Sequence, residues 1–205
     1  MSTPYQDAGR TGQKRRTFEA LVAVAREAVA AGESPTVDST AAAAGVARST
    51  AYRYFPSQRE LLAAAHPETA RQSLLPADAP EDPGARLDVV VAEFTQLIAD
   101  TEAQQRTMLR LSLERDTAES ALPLRQGRAI AWIEEALKPL QGTFSAPEIR
   151  ALALAVRSAI GIEALVWLTD IGGLSREQAR ASMRWSARAL LHQALVAGPP
   201  PAARR

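Results

Sequence analysis

The chain has 205 residues, 46% of them apolar and 23% charged, and a formal net charge of +1. That is enough apolar material for a packed core and excludes a wholly disordered chain. With no cysteine, disulfide frameworks, thiolate nucleophiles and cysteine-ligated metal are excluded as well.

Alanine, leucine and arginine, all good helix formers, dominate. Residues 1–12 are polar and are expected as a disordered arm, without the apolar stretch of a secretory signal. Arg10, Lys14, Arg15 and Arg16 form a local cationic cluster with no intervening acid. From Gln13 to Ala31 the apolar residues Phe18, Leu21, Val22, Ala25, Ala28 and Val29 recur at helical spacing, and Gly32 suits the end of that helix. Thr36 is an N-cap residue for a short helix from Val37 to about Ala44. Gly45 then sits where a turn needs positive φ, and Val46 follows as an apolar plug. A second short helix runs from about Ala47 to Tyr54, stopped by Pro56, and Ser57 to Glu60 form a capping box that starts a fourth. Two short helices joined by a glycine turn and braced by a longer one describe a helix-turn-helix.

Residues 66–83, with four prolines, read as a hinge between a domain at 13–65 and one at 84–197. In the latter, helices are expected at about 84–101, 103–115, 122–138, 146–169 and 175–196, the last two behind capping boxes at Ser145–Glu148 and Ser175–Gln178. Residues 198–205 are expected to be a disordered tail. The fold class is therefore all-α with about nine helices.

In a helix-turn-helix the second helix enters the major groove with its N-terminal residues toward base edges. Here those residues are Arg48, Ser49 and Thr50. Arginine pairs bidentately with guanine, and hydroxyls serve bases or phosphates. Tyr52 and Tyr54 carry phenolic donors suited to phosphate. Ala51 and Phe55, at i and i+4, are expected to pack inward against Phe18 and Leu21.

The run Ala41, Ala44-Gly45-Val46, Thr50, Tyr52-Arg53-Tyr54-Phe55, Pro56-Ser57 and Leu61 resembles the N-terminal domain of the tetracycline-repressor (TetR) family of bacterial regulators, over about residues 14–65. It departs at Thr40, where an aliphatic residue is usual, at Ala47, where serine usually caps the recognition helix, and at Gln58, where lysine usually touches phosphate. Asp38 also places an acid on the short helix ahead of the turn. The DNA-contacting set expected from motif and resemblance together is Lys14, Arg16, Thr36, Arg48, Ser49, Thr50, Tyr52, Arg53, Tyr54 and Gln58.

The segment 146–169 is apolar nearly all round, from Ile149 to Leu168, so it needs two apolar neighbours. The resemblance implies that it and the final helix form a two-fold homodimer interface, with Ile160, Trp167, Met183, Leu190, Leu191 and Leu195 as its expected residues. It also implies a C-terminal ligand pocket for a small-molecule effector. Phe94, Met108, Leu111, Trp132 and Trp167 are the expected lining, with Ile133 as a further apolar candidate and Arg110, Glu114, Arg157 and Glu163 as polar anchors. The function expected is that of a cytoplasmic transcription regulator, most simply a repressor released by its ligand from a pseudo-palindromic operator, with no cofactor or metal and no membrane partner. An enzyme is disfavoured: His66 and His192 have no partner at metal-ligand or triad spacing, and Glu134 and Glu135 point to different helix faces. The longest apolar segment, Ile160–Leu168, is short for a bilayer and contains Glu163. The alternative reading is a helical protein-interaction module without DNA binding.

Overall fold

The computed structural model describes residues 4–66, 71–113 and 128–202, with side chains from residue 12 onward. The described residues are helical in most of the expected places, and no strand occurs among them. The chain forms two compact units, the first from residues 1–69 with 103–126 and the second from 70–102 with 127–205.

The first unit holds α1 (Pro4–Ala30), α2 (Val37–Ala43), α3 (Arg48–Tyr54), α4 (Gln58–Ala65) and nearly all of α6 (Glu102–Leu113). α1 begins well before Gln13, so the segment expected as a disordered arm is helical from Pro4. Proline as the first helical residue loses an N–H that had no partner anyway, and no proline interrupts the chain from there to Ala30. The inner faces of the first four helices close over Leu21, Val22, Ala25, Val37, Ala41, Ala51, Phe55, Leu61 and Ala65. α6, expected in the C-terminal domain, instead packs on α1 and α4. Its Met108 is wholly buried with Val29 and Leu62, and Gln104 Nε2 donates to Ala65 O at 2.8 Å.

Thr40 is buried in α2 at 1% exposure, and its Oγ1 has no hydrogen-bond partner. A buried hydroxyl without a partner costs roughly 1–3 kcal/mol. Thr40→Val, which keeps the β-branched shape, is therefore expected to stabilise the protein by about 1 kcal/mol, raising the thermal midpoint by a few degrees in a calorimetric scan. An unchanged or lowered midpoint would show that the hydroxyl is satisfied.

The second unit holds α5 (Pro83–Asp100), α7 (Arg128–Ala136), α8 (Ala146–Ile160), α9 (Ile162–Val166) and α10 (Arg176–Ala197). The helix expected over 122–138 is described only from Arg128; residues 114–127, Glu114 among them, lie outside the described residues. The core includes Leu87, Val91, Phe94 and Ile98 of α5, Trp132 and Ile133 of α7, Leu152, Val156 and Ile160 of α8, and Met183, Ala187 and Leu191 of α10. Arg86 reaches from α5 to the end of α7, donating to Glu135 O at 3.0 Å and Ala136 O at 3.2 Å. Those carbonyls have no partner inside their own helix, so the arginine acts as a cap. At the start of α8 the Glu148 carboxylate accepts from both the hydroxyl and the N–H of Ser145, at 2.7 Å each. The side-chain hydrogen bond, then the backbone one, holds its carboxyl below the ordinary glutamate range. This contribution to stability is present at neutral pH and fades as acid protonates the folded carboxylate.

The single helix expected over 146–169 is divided. Gly161 is extended, with ψ at 179°, and separates α8 from α9, which passes into a π-helical turn at Trp167–Ile171. A side chain at Gly161 would collide with Arg157 and Glu163, whose ion pair, at 3.3 Å, lies over the glycine. By length and composition the stretch Ala146–Ile171 could cross a membrane, with a mean hydropathy of 1.8. Part of it is buried where α8 packs on α7 and α10, while Leu154, Trp167 and Ile171 stay exposed.

Candidate nucleic-acid interface

The turn ahead of α3 is built by Gly45. Its φ of +64° is a left-handed conformation that a Cβ disfavours. With that torsion the Gly45 N–H reaches Ala42 O at 3.2 Å and the Val46 N–H reaches Ala41 O at 2.9 Å. These two bonds engage carbonyls in the last turn of α2, and Val46 packs on the core beside Ala41. The chain is thereby redirected, and α3 begins at Arg48.

α3 is two-sided. Ala51 and Phe55 are buried, at 0% and 3% exposure, and the Phe18 and Phe55 rings lie 5.2 Å apart. The inward packing expected of this pair is thus found, although Phe18 itself stays 40% exposed at the rim. Arg48, Ser49, Tyr52 and Arg53 are exposed, and Thr50 and Tyr54 are half-buried. The Tyr54 ring leans on Phe18 at 6.5 Å, which leaves the helix's last turn braced against α1.

The other expected contact residues divide by location. Gln13, Lys14 and Thr17 of α1 face Thr50, Arg53 and Tyr54 of α3 across a groove of about 450 Å³. Lys14, Thr50, Arg53 and Tyr54 are therefore brought together, with two cations on one cleft. Arg16 is exposed on α1 but does not line that groove, since residues two apart on a helix point to nearly opposite sides. Arg15 is paired with Glu19 at 3.6 Å, and the side chain of Arg10 lies outside the described residues.

Thr36 and Gln58 have local work. Thr36 Oγ1 accepts from the Ser39 N–H at 3.0 Å and so caps α2. Gln58 Nε2 donates to Pro35 O at 3.0 Å and Ser34 Oγ at 3.2 Å, tying the start of α4 to the loop before α2. The amide occupies itself with the protein's own backbone, whereas a lysine ammonium would carry a charge toward solvent.

One arrangement was not foreseen from the sequence. Arg48 Nε lies 2.9 Å from Asp38 Oδ1, and the guanidinium carbon lies 5.7 Å from the centre of the Tyr52 ring. Asp38, ten positions upstream on α2, is brought to α3 only by the Gly45 turn.

Of the expected effector residues, only Phe94 and Trp132 are packed together in the second unit. Phe94 and Trp132 meet edge to face at 6.0 Å, and Trp132 Nε1 donates to Gln72 O at 2.9 Å. Ile133 is also buried there. Arg157, paired with Glu163, sits over the Phe94 ring at 5.4 Å. Met108, with Leu111 against it, belongs to the first unit, and Arg110 there donates to Gly32 O at 3.3 Å. Trp167 is 60% exposed.

The expected interface residues also divide. Ile160, Met183 and Leu191 are buried in their own protomer, Leu190 is half-buried, and Leu195 is exposed. Leu154, Ile171, Trp185 and Val196, not expected from the sequence, are exposed, Trp185 at 70%. The signal for Trp185 is its register. It lies two positions beyond Met183 and so opposite the Ala179, Met183, Ala187 and Leu191 stripe that α10 buries.

Residues 22–65 match the family model described as bacterial regulatory proteins, tetR family. No curated protein matches the chain in sequence. Among solved structures the chain is similar to a TetR transcriptional regulator from Rhodococcus sp. RHA1, with a TM-score of 0.54 at 23% identity, over 89% of this chain and 98% of that one. That likeness concerns the fold, and the family match falls on the helix-turn-helix itself. The match identifies a helix-turn-helix domain of the tetR type at residues 22–65, the segment that holds α2, α3 and α4.

Proposed function

We propose that the protein acts as a homodimeric repressor, each subunit laying α3 in the major groove of one half of a pseudo-palindromic operator. The observation that carries this reading is the division of α3, with Ala51 fixed in the core and Arg48, Ser49, Tyr52 and Arg53 outward. Arg48 is then the base reader, while Lys14, Thr50, Arg53 and Tyr54 line a groove suited to the phosphate backbone. Pairing of subunits is supported by the exposed Leu154, Trp167, Ile171, Trp185, Leu195 and Val196 on α8, the π-helical turn and α10. Large apolar side chains collected on neighbouring elements mark an association surface more often than they mark solvent.

Release by a small-molecule effector is part of the same proposal, with Phe94, Trp132 and Arg157, which lie together in the second unit, as the residues to vary. A ligand there acts only if it binds the DNA-competent and DNA-incompetent states unequally. The protein works in the cytoplasm on DNA, as a regulator and not as an enzyme.

The test is a gel shift with the intergenic DNA beside the gene, repeated across salt. Sequence-specific retardation that weakens steeply with salt is expected, because bound cations displace counterions from the duplex. No retardation of any promoter-proximal fragment at low salt would favour the protein-interaction module.

A further inference from the structure

We propose that Asp38 is a positioning residue for sequence readout, holding Arg48 so that only the terminal edge of its guanidinium is offered to a base. The proposal rests on the DNA-binding reading and adds to it a residue that looks unfavourable for DNA.

An arginine side chain presents five N–H donors in a planar fork, and guanine can be met by more than one pair of them. The Asp38 carboxylate lies against the Nε side, Oδ1 at 2.9 Å, as a charge contact without the alignment of a hydrogen bond. Tyr52, one helical turn along α3, lies beneath the cation at 5.7 Å from its ring centre. With the carboxylate against one side and the ring against one face, the two terminal nitrogens are the pair left uncovered. Both partners are fixed by the fold. Asp38 is anchored by α2, itself capped by Thr36, and Tyr52 shares α3 with the buried Ala51.

In the free protein this ion pair contributes little stability, since its side chains are 73% and 44% exposed. Its effect belongs to the complex. A carboxylate near the duplex is repelled by phosphates wherever the protein binds, so it weakens binding to every sequence. Only a correctly placed guanine offsets that repulsion, by engaging the pre-oriented Arg48. Asp38 therefore lowers non-specific affinity more than specific affinity, which is discrimination by a repulsive element.

The experiment is selection from random duplexes with the full chain and with Asp38→Asn and Asp38→Ala, followed by titration of the selected site and of an unrelated duplex. Asparagine keeps the shape and removes the charge. Both variants are expected to bind the unrelated duplex more tightly and to lose about tenfold in the ratio of specific to non-specific affinity, with weakened preference at one base pair per half-site. A ratio and base preference unchanged in both variants would overturn the role of Asp38 while leaving DNA recognition intact. Equal tightening on both duplexes would also overturn it, reducing Asp38 to a repelling charge. If the unaltered chain itself enriches no sequence, the DNA-binding reading fails and the proposal with it.

Discussion

Arg48→Ala is expected to cost the operator complex about 1–3 kcal/mol, or roughly 5- to 150-fold in affinity, and to erase preference at one base pair in each half-site. The side chain is exposed on the first turn of α3 and makes no core contact, so the fold is expected to survive and the loss to be one of recognition. The effect should fall toward the upper end of that range. Removing the guanidinium takes away the base contact and also leaves Asp38 beside the duplex without the cation that pairs with it. Arg48→Ala combined with Asp38→Asn separates the two contributions. If the double variant recovers affinity for all sequences alike without recovering base preference, the repulsion and the readout are distinct. A selected site identical for Arg48→Ala and the unaltered protein would remove arginine from the reading of bases.

The second large effect is expected at Trp185. Trp185→Glu should give a folded monomer of about 22 kDa by sedimentation, where the unaltered chain is expected at twice that mass, and operator affinity should fall by two orders of magnitude or more. The indole is 70% exposed within its own subunit, so a carboxylate there is solvated in the monomer. In a dimer it would be desolvated twice, once in each subunit, at a cost of several kcal/mol per ion. Met183 and Leu191, on the same helix, are unsuitable for the experiment because both are in the protomer's core. A charge there would unfold the subunit, and loss of dimer would follow from loss of fold. A Trp185→Glu protein that stays dimeric would move the interface off this face of α10.

The helix-turn-helix was legible because each of its parts has a local physical cause. The boxes at Ser57–Glu60 and Ser175–Gln178 and the cap at Thr36 form hydrogen bonds between residues three apart, and the structure contains them where the sequence places them. Gly45 is likewise a local matter of one torsion and two carbonyls. What could not be read depends on pairing over distance. Asp38 meets Arg48 only after the turn has been made. α6 joins the first unit through Met108, a residue whose sequence neighbours give no sign of Val29 or Leu62. The break at Gly161 was not expected within the single helix at 146–169, and the Arg157–Glu163 pair that fills the space over the glycine joins residues six apart. Residues chosen for an interface by hydrophobicity alone split into buried and exposed sets. Helical register distinguishes them where composition does not, with Met183 on the buried stripe of α10 and Trp185 opposite it.

The central claim, that paired α3 helices lie in the major groove, can be tested by a single chemical probe, since the chain contains no cysteine. Ser49→Cys would be the sole thiol, on an exposed position of α3, and can carry an iron chelate that cleaves DNA within reach. Two clusters of cuts, related by the operator's symmetry and separated by about 34–36 Å along the duplex or a multiple of it, are the expected result. Cleavage no greater than that of the unmodified protein, on a duplex that the labelled protein demonstrably binds, would contradict the placement of α3 against DNA.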